Sequence, residues 1–294
     1  MKLNSLKRIL IGMAVASLLA APATINAQPT AHYAPGLEGL DAATLPPPGV
    51  YLRDYNWFYY ADQYNDASGN KVGAANAKAF IYAQVPRLLW ITDLQLLGGN
   101  IGLDALVPFQ YTYIKGVDQT FGVGDPFLET TWSRHLKQFD LALGVGVFMP
   151  TENFNNRTWA GLGYWTCMFT AGATWYMDKD KKWSISALNR YELNSQQDDT
   201  GITPGQAYTV EGGVRYGLSK TVNFGGIAYY QQQVNSDVGT SASKERDRVA
   251  GVGPEINAFF PSVSLGVSLR YAYEFMAESR LQGHTITLTL TKRF

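Results

Sequence analysis

The chain has 294 residues, and its 24 Lys and Arg balance 24 Asp and Glu, so a zero formal net charge gives no electrostatic reason to expect a nucleic-acid partner. Only 16% of residues are charged and 13% are aromatic, which excludes a disordered chain, while a mean hydropathy of −0.13 excludes a bundle of membrane helices. The single cysteine, Cys167, excludes an intramolecular disulfide and a Cys-rich metal centre.

Residues 1–27 read as a secretory signal peptide. Lys2, Lys7 and Arg8 precede an apolar stretch from Ile9 to Ala21, Pro22 breaks it, and Ile25-Asn26-Ala27 offers a small-residue cleavage site. A retained anchor would need a longer span. No later run of 18 apolar residues occurs, so a membrane role requires a barrel. Residues 28–48 carry Pro29, Pro35, Pro46, Pro47 and Pro48 with Gly36 and Gly39, so they cannot donate a ladder of hydrogen bonds. Fully extended they reach about 70 Å, against ~30 Å for a bilayer core. Two readings stand. The segment is a luminal plug, with Tyr33, Leu37, Leu40 and Leu45 on inner aromatics and Glu38 or Asp41 meeting Arg215 or Arg270; or it is a periplasmic tail.

From 49 to 294 the chain breaks into segments with period-two alternation, near 50–62, 77–91, 102–114, 121–133, 139–149, 164–177, 183–194, 206–218, 222–233, 248–260, 263–275 and 283–294. In the last, Ile286, Leu288 and Leu290 share one face while Thr285, Thr287, Thr289, Thr291 and Arg293 share the other. The segment before it sets Val267, Leu269, Tyr271, Tyr273 and Phe275 against Ser268, Arg270, Ala272 and Glu274. Tight connections such as Pro261-Ser262 alternate with long polar ones such as 150–163, 195–205 and 234–247. The expectation is an all-β fold, a transmembrane antiparallel up-and-down barrel of about 12 strands in the bacterial outer membrane, monomeric, with both termini in the periplasm. A lipocalin-like soluble barrel would be smaller. Pro86, Pro126 and Pro254 predict bulges or strand starts. Phe294 resembles the terminal aromatic by which such proteins meet the barrel-assembly machinery, and Lys292 is placed to snorkel to the interface.

Charges face lipid only at high cost, so alternation sends Asp125, Glu129, Arg190, Glu192, Glu211, Arg215, Glu255, Arg270, Glu274 and Arg293 toward the lumen. There they either set selectivity or pair across strands to stiffen the wall. Phe58, Tyr60, Phe80, Tyr82, Phe148 and Tyr229 make either an inner binding track or an outer girdle, since a one-residue slip exchanges the faces. An outer-membrane lipid-modifying enzyme would need a His beside a Ser, and His284 with Ser264 or Ser268 is the only conceivable pair. His32, His135 and His284 are too scattered to bind a metal, and Gly144-Val145-Gly146 and Gly251-Val252-Gly253 lead into no helix, so no cofactor is expected.

Four stretches carry a family resemblance: HYAPGLEGLDAATLPPPGVYLRDYNWFYYAD from His32 to Asp62, RLLWITDLQLLGGNIG from Arg87 to Gly102, GVGDPFLETTW from Gly122 to Trp132, and WYMDKDKKW from Trp175 to Trp183. Together they resemble the outer-membrane transporters labelled for the meta-pathway of phenol degradation. Glu129-Thr130-Thr131 is more polar than that pattern. The resemblance implies a transporter or channel for small hydrophobic or aromatic compounds, in contact with outer-membrane lipid, and not an enzyme of phenol degradation. A channel for small polar solutes is the alternative that the luminal charges favour.

Overall fold

The computed structural model describes residues 31–72, 78–116, 118–152 and 160–294. The expected signal peptide and residues 28–30 lie outside the described residues. Among the described residues, fifteen strands form one antiparallel sheet. They are β1 (Gly49–Asn65), β2 (Lys71–Val72), β3 (Ala79–Leu96), β4 (Gly99–Leu106), β5 (Phe109–Ile114), β6 (Asp118–Val123), β7 (Phe127–His135), β8 (Phe139–Phe148), β9 (Thr166–Tyr176), β10 (Trp183–Asn194), β11 (Ala207–Gly217), β12 (Val222–Gln233), β13 (Arg248–Phe260), β14 (Leu265–Glu278) and β15 (Arg280–Arg293). β2 is a short return at the tip of β1; β4 with β5, and β6 with β7, are halves of two interrupted strands, which leaves a wall of 12 strands. It closes where β1 pairs with β15 from Tyr51↔Arg293 to Asn65↔Arg280. Closure through this pair lets neighbouring strands share their ladder bonds, the condition for spanning lipid with strands, while β2 and β6 stand at the two ends of the strand order, on β1 and β5.

Period-two sequence becomes a two-faced wall. On β15, Thr285, Thr287 and Thr289 are buried inside while Ile286 is exposed, and on β14 Arg270, Ala272 and Glu274 are buried while Leu269, Tyr271, Tyr273 and Phe275 are exposed. Leu88, Trp90, Leu103, Leu128 and Leu143 continue the exposed apolar band. Tight turns join one end. In the β9–β10 turn the Asp178 carboxylate accepts the amides of Lys182 (3.0 Å) and Trp183 (2.7 Å), which hold it below the usual carboxylate range. The opposite end carries the long loops.

Prolines act unequally. Pro126 lies in the break between β6 and β7, as a strand start. Pro86 stays in register opposite Asp54, and the interruption falls on the neighbouring strand, at Val107 and Pro108, where the Val107 amide still donates to the Pro86 carbonyl at 3.3 Å. Pro254 also stays in register, opposite Gly226; the register shift of β13 is at Ala250/Gly251.

Two readings that the sequence left open are decided. Phe58 and Tyr60 on β1 pair with Tyr82 and Phe80 on β3 on the outer face, where Phe58 stacks on Tyr82. The inward positions of β1 are Tyr51, Arg53, Tyr55, Trp57 and Tyr59, because Arg53 and the tyrosine hydroxyls find partners only inside. Of the six aromatics considered, Phe148 and Tyr229 are buried inside. The His284–serine pair does not form: His284 lies opposite Tyr273 and bonds the Tyr271 hydroxyl at 2.7 Å, while Ser268 lies opposite Thr289.

Candidate functional site

The segment from His32 to Pro48 lies inside the barrel and runs its length. At the long-loop end the His32 ring bonds Asp125 (2.8 Å) and Thr166 (2.8 Å) and stacks on Phe148. At the tight-turn end the Thr44 hydroxyl bonds Asp140 (3.2 Å), and the Pro47 carbonyl accepts the Tyr51 hydroxyl (2.7 Å). Apart from one turn of 3-10 helix at Gly39–Asp41 the segment has no regular structure, so most of its backbone donors lack a partner in the segment, and buried amides need acceptors. The wall supplies them. Glu192 accepts the amides of His32 (2.8 Å) and Tyr33 (3.2 Å), Glu211 that of Glu38 (3.3 Å), Glu255 that of Leu40 (3.0 Å), and Ser186 that of Ala43 (2.9 Å). The Tyr33 hydroxyl donates to Glu211 as well.

Apolar side chains of the segment fill what remains. Tyr33 packs with Phe127, Phe148 and Met168, with Leu37 against the same cluster. Leu40, fully buried, packs with Ile227, Tyr229 and Val249. Leu45 packs on Tyr51, Leu89 and Ile91. Leu40 approaches the wall closely because Gly39 adopts φ +72°, and a Cβ there would come 1.9 Å from Glu255 Oε2.

Glu38 is the electrostatic centre. Arg53 Nη1 donates to its Oε2 at 2.8 Å, while Arg87 Nη1 (2.8 Å), the Tyr55 hydroxyl (3.1 Å) and Arg190 Nη2 (3.4 Å) reach its Oε1. Arg87 is also held by Asp104 through two bonds of 3.1 and 2.7 Å and by Glu129 at 3.2 Å. Arg190 lies 3.8 Å over the Tyr33 ring and 3.5 Å from Glu211. Nearer the tight-turn end, Arg270 pairs with Glu255 at 3.2 Å and Arg215 with Asp41 at 3.4 Å. Asp125 also accepts the amides of Thr151 (2.9 Å) and Leu162 (2.8 Å), which ties the loop after β8 to the segment. Glu274 accepts the Tyr59 hydroxyl (2.8 Å) and the Gly283 amide (2.9 Å). Arg293 donates to the Pro48 carbonyl at 3.0 Å; the Phe294 ring is exposed, and its amide donates to the Val50 carbonyl at 3.0 Å.

Sequence reasoning missed Arg53, Tyr55, Arg87 and Asp104. The rule that charges face inward would have found Arg87, but Arg53 and Asp54 are adjacent and alternation cannot send both inside. Asp54 takes the outer face, where Asn56 (3.0 Å) and Gln84 (3.2 Å) donate to it.

The segment leaves two spaces. A cavity of about 300 Å³ in the long-loop half is mostly apolar, lined by Trp57, Ile81, Val85, Leu106, Phe127 and Leu281 among others. One of about 240 Å³ toward the tight-turn end is of mixed character, with Asp41, Arg53, Asn223, Asn257 and Arg270 in its wall beside Leu37, Phe259 and Val267. Leu37, Glu38 and Tyr55 line both and form a septum between them. Among the described residues, no three His, Cys, Asp or Glu side chains are grouped to hold a metal ion.

The fold is similar to that of the COG4313 outer membrane channel from Pseudomonas putida F1, with a TM-score of 0.77 at 19% identity over 89% of this chain and 100% of that one. Lower similarity extends to the translocator domain of the autotransporter NalP from Neisseria meningitidis (TM-score 0.49, 10% identity, 86% of this chain and 91% of that one) and to the NanC porin (0.45, 12%, 82% and 98%). No curated protein matches the chain. The model of the family described as "Putative MetA-pathway of phenol degradation" matches residues 61–290, most of the chain and nearly the whole barrel wall, and the chain belongs to that family.

Proposed function

We propose that this protein is an outer-membrane channel for the uptake of small hydrophobic or aromatic molecules, with the inner segment as its plug. The observation that carries the reading is the apolar cavity of about 300 Å³, bounded below by the Leu37–Glu38–Tyr55 septum. That volume is at the lower end of the range for small-molecule sites, about 300–1,000 Å³, and fits a compact, one- or two-ring compound. The septum, held by charged hydrogen bonds, denies water a straight path, as apolar cargo requires. On this reading the tight turns face the periplasm and the long loops the exterior, and the family description, which names phenol degradation, fits aromatic cargo.

The alternative, a channel for small polar solutes, draws on the charged and amide side chains in the wall of the lower cavity. Uptake of a radiolabelled aromatic compound at low concentration, by cells lacking the protein and cells carrying it, tests the first reading. Its expected outcome is faster uptake with the wild-type chain and loss of that gain in Val85→Trp, which fills the cavity. Liposomes that swell rapidly in sugars and show no dependence on Val85 would support polar solutes instead.

A further inference from the structure

The septum is built as a receptor for a carboxylate. Three guanidinium groups and one phenol hydroxyl, from β1, β3 and β10, converge on the single carboxyl group of Glu38. Arg87 and Arg190 are largely buried, and both line the apolar cavity together with Glu38. Guanidinium groups fixed in this way recognise planar carboxylates by charge-assisted hydrogen bonds. Next to the carboxylate, on the same segment, Leu37 packs against Phe127 and Phe148. The Leu37–Glu38 pair thus presents an apolar body joined to an acid group, at the floor of a cavity that accepts apolar bodies.

We propose that Glu38 is an internal stand-in for the cargo, and that the preferred cargo is a small monocarboxylate with an aromatic or compact apolar body, which opens the septum by taking Glu38's place. The proposal rests on the uptake reading above and deepens it. Charge decides between ligand classes. Around the septum Arg53, Arg87 and Arg190 face Glu38, Asp104, Glu129 and Glu211. When Glu38 leaves and an external carboxylate arrives, the local charge is unchanged and each guanidinium regains an acceptor. A neutral alcohol of the same shape returns no carboxylate: Arg87 keeps Asp104 and Glu129 and Arg190 keeps Glu211, but the ion pair of Arg53 with Glu38 is not replaced, and breaking a pair by removing one partner is costly where water is scarce. Acetate offers the charge without the body that fills the cavity. Because Glu38 is tethered, it competes at an effective concentration of order millimolar, so the free acid acts in that range.

The test uses the full barrel in planar bilayers at pH 7.5, with benzoate, benzyl alcohol and acetate at equal millimolar concentrations, and equilibrium dialysis of radiolabelled benzoate and benzyl alcohol. Benzoate is expected to raise the mean channel conductance at least threefold while benzyl alcohol and acetate leave it near the basal level. Glu38→Gln, checked for assembly by heat-modifiable migration, is expected to conduct freely without ligand and to bind benzoate at least tenfold more tightly than wild type, because the internal competitor is gone. If that variant fails to assemble, the wild-type ligand series still decides. Equal opening by benzoate and benzyl alcohol, or no opening by benzoate, would overturn the stand-in. Binding of benzyl alcohol with no preference for benzoate overturns it while leaving aromatic uptake intact; binding of neither overturns both readings.

Discussion

At the scale of single residues, the contacts of the inner segment are those of a guest that brings donors to a host rich in acceptors. Wall carboxylates at Glu192, Glu211 and Glu255 take backbone amides that a regular strand would have paired with a neighbour. Geometry then leaves little latitude at Gly39. A side chain there meets both a left-handed backbone and the Glu255 carboxylate at 1.9 Å. Gly39→Ala is therefore expected to weaken seating of the segment by at least about 1 kcal/mol from the backbone alone, and to raise ionic conductance in planar bilayers without lowering the amount of folded barrel. Conductance equal to wild type would mean that the segment does not close the path. Arg87→Met is the sharper lesion. It leaves Asp104 and Glu129 buried without their cation, a change that costs about 3–5 kcal/mol when one partner of a buried pair is removed, and a lower urea midpoint in vesicles is the expected result.

At the scale of elements, each strand is two faces held at fixed phase by its neighbours, so the position of a charge decides its cost. Leu269 on β14 is exposed on the outer face, whereas Asn257, two residues beyond Glu255 on β13, lines the lower cavity. Leu269→Arg places a guanidinium in hydrocarbon and is expected to cost about 2–4 kcal/mol of folding free energy near mid-bilayer. Asn257→Arg is expected to cost far less. Folding titrations in lipid vesicles compare them, and equal costs would contradict the phase of the β13–β14 pair. The broken strands belong to this scale as well. Pro86, Pro108 and Pro126 fall on three neighbouring strands, where each removes a donor from the ladder, yet the Pro86 and Pro108 carbonyls still accept Val107 and Gly124 at 3.3 and 2.7 Å. These bonds tie the broken strands to their neighbours where the ladder is thinnest.

At the scale of the whole molecule, the barrel and its inner segment are separable in kind: the wall is paired strand to strand, and the segment is held by side chains alone. Removal of residues 28–44 is expected to leave a heat-modifiable barrel with higher single-channel conductance. Loss of assembly would show that the wall needs the segment's contacts to close. Phe294, with its amide on the Val50 carbonyl and its ring exposed, sits at the seam between β1 and β15. Its deletion is expected to reduce the folded fraction recovered in outer membranes while leaving the stability of molecules that do fold near wild type, and an undiminished yield would remove it from the assembly signal.

The wall was legible in the sequence because its information is local. Lipid outside and polar groups inside impose period-two alternation strand by strand, and proline, glycine and polar runs mark the turns, so strands such as 183–194, 222–233 and 248–260 could be bounded without any long-range contact. Where both faces of a strand are aromatic, as on β1 with Trp57-Phe58-Tyr59-Tyr60, alternation loses its sign, and only the partners of Arg53, Tyr55 and Tyr59 across the lumen fix which ring points inward. The site is harder still, since its groups come from distant parts of the chain. Glu38 and Arg190 stand 152 positions apart, and nothing in the neighbourhood of either states that they meet. Sequence determined that a closed, two-faced wall forms, because each strand carries its own solvent preference; tertiary structure decided which carboxylate each arginine holds, because that choice is made by barrel closure and by a segment threaded through it.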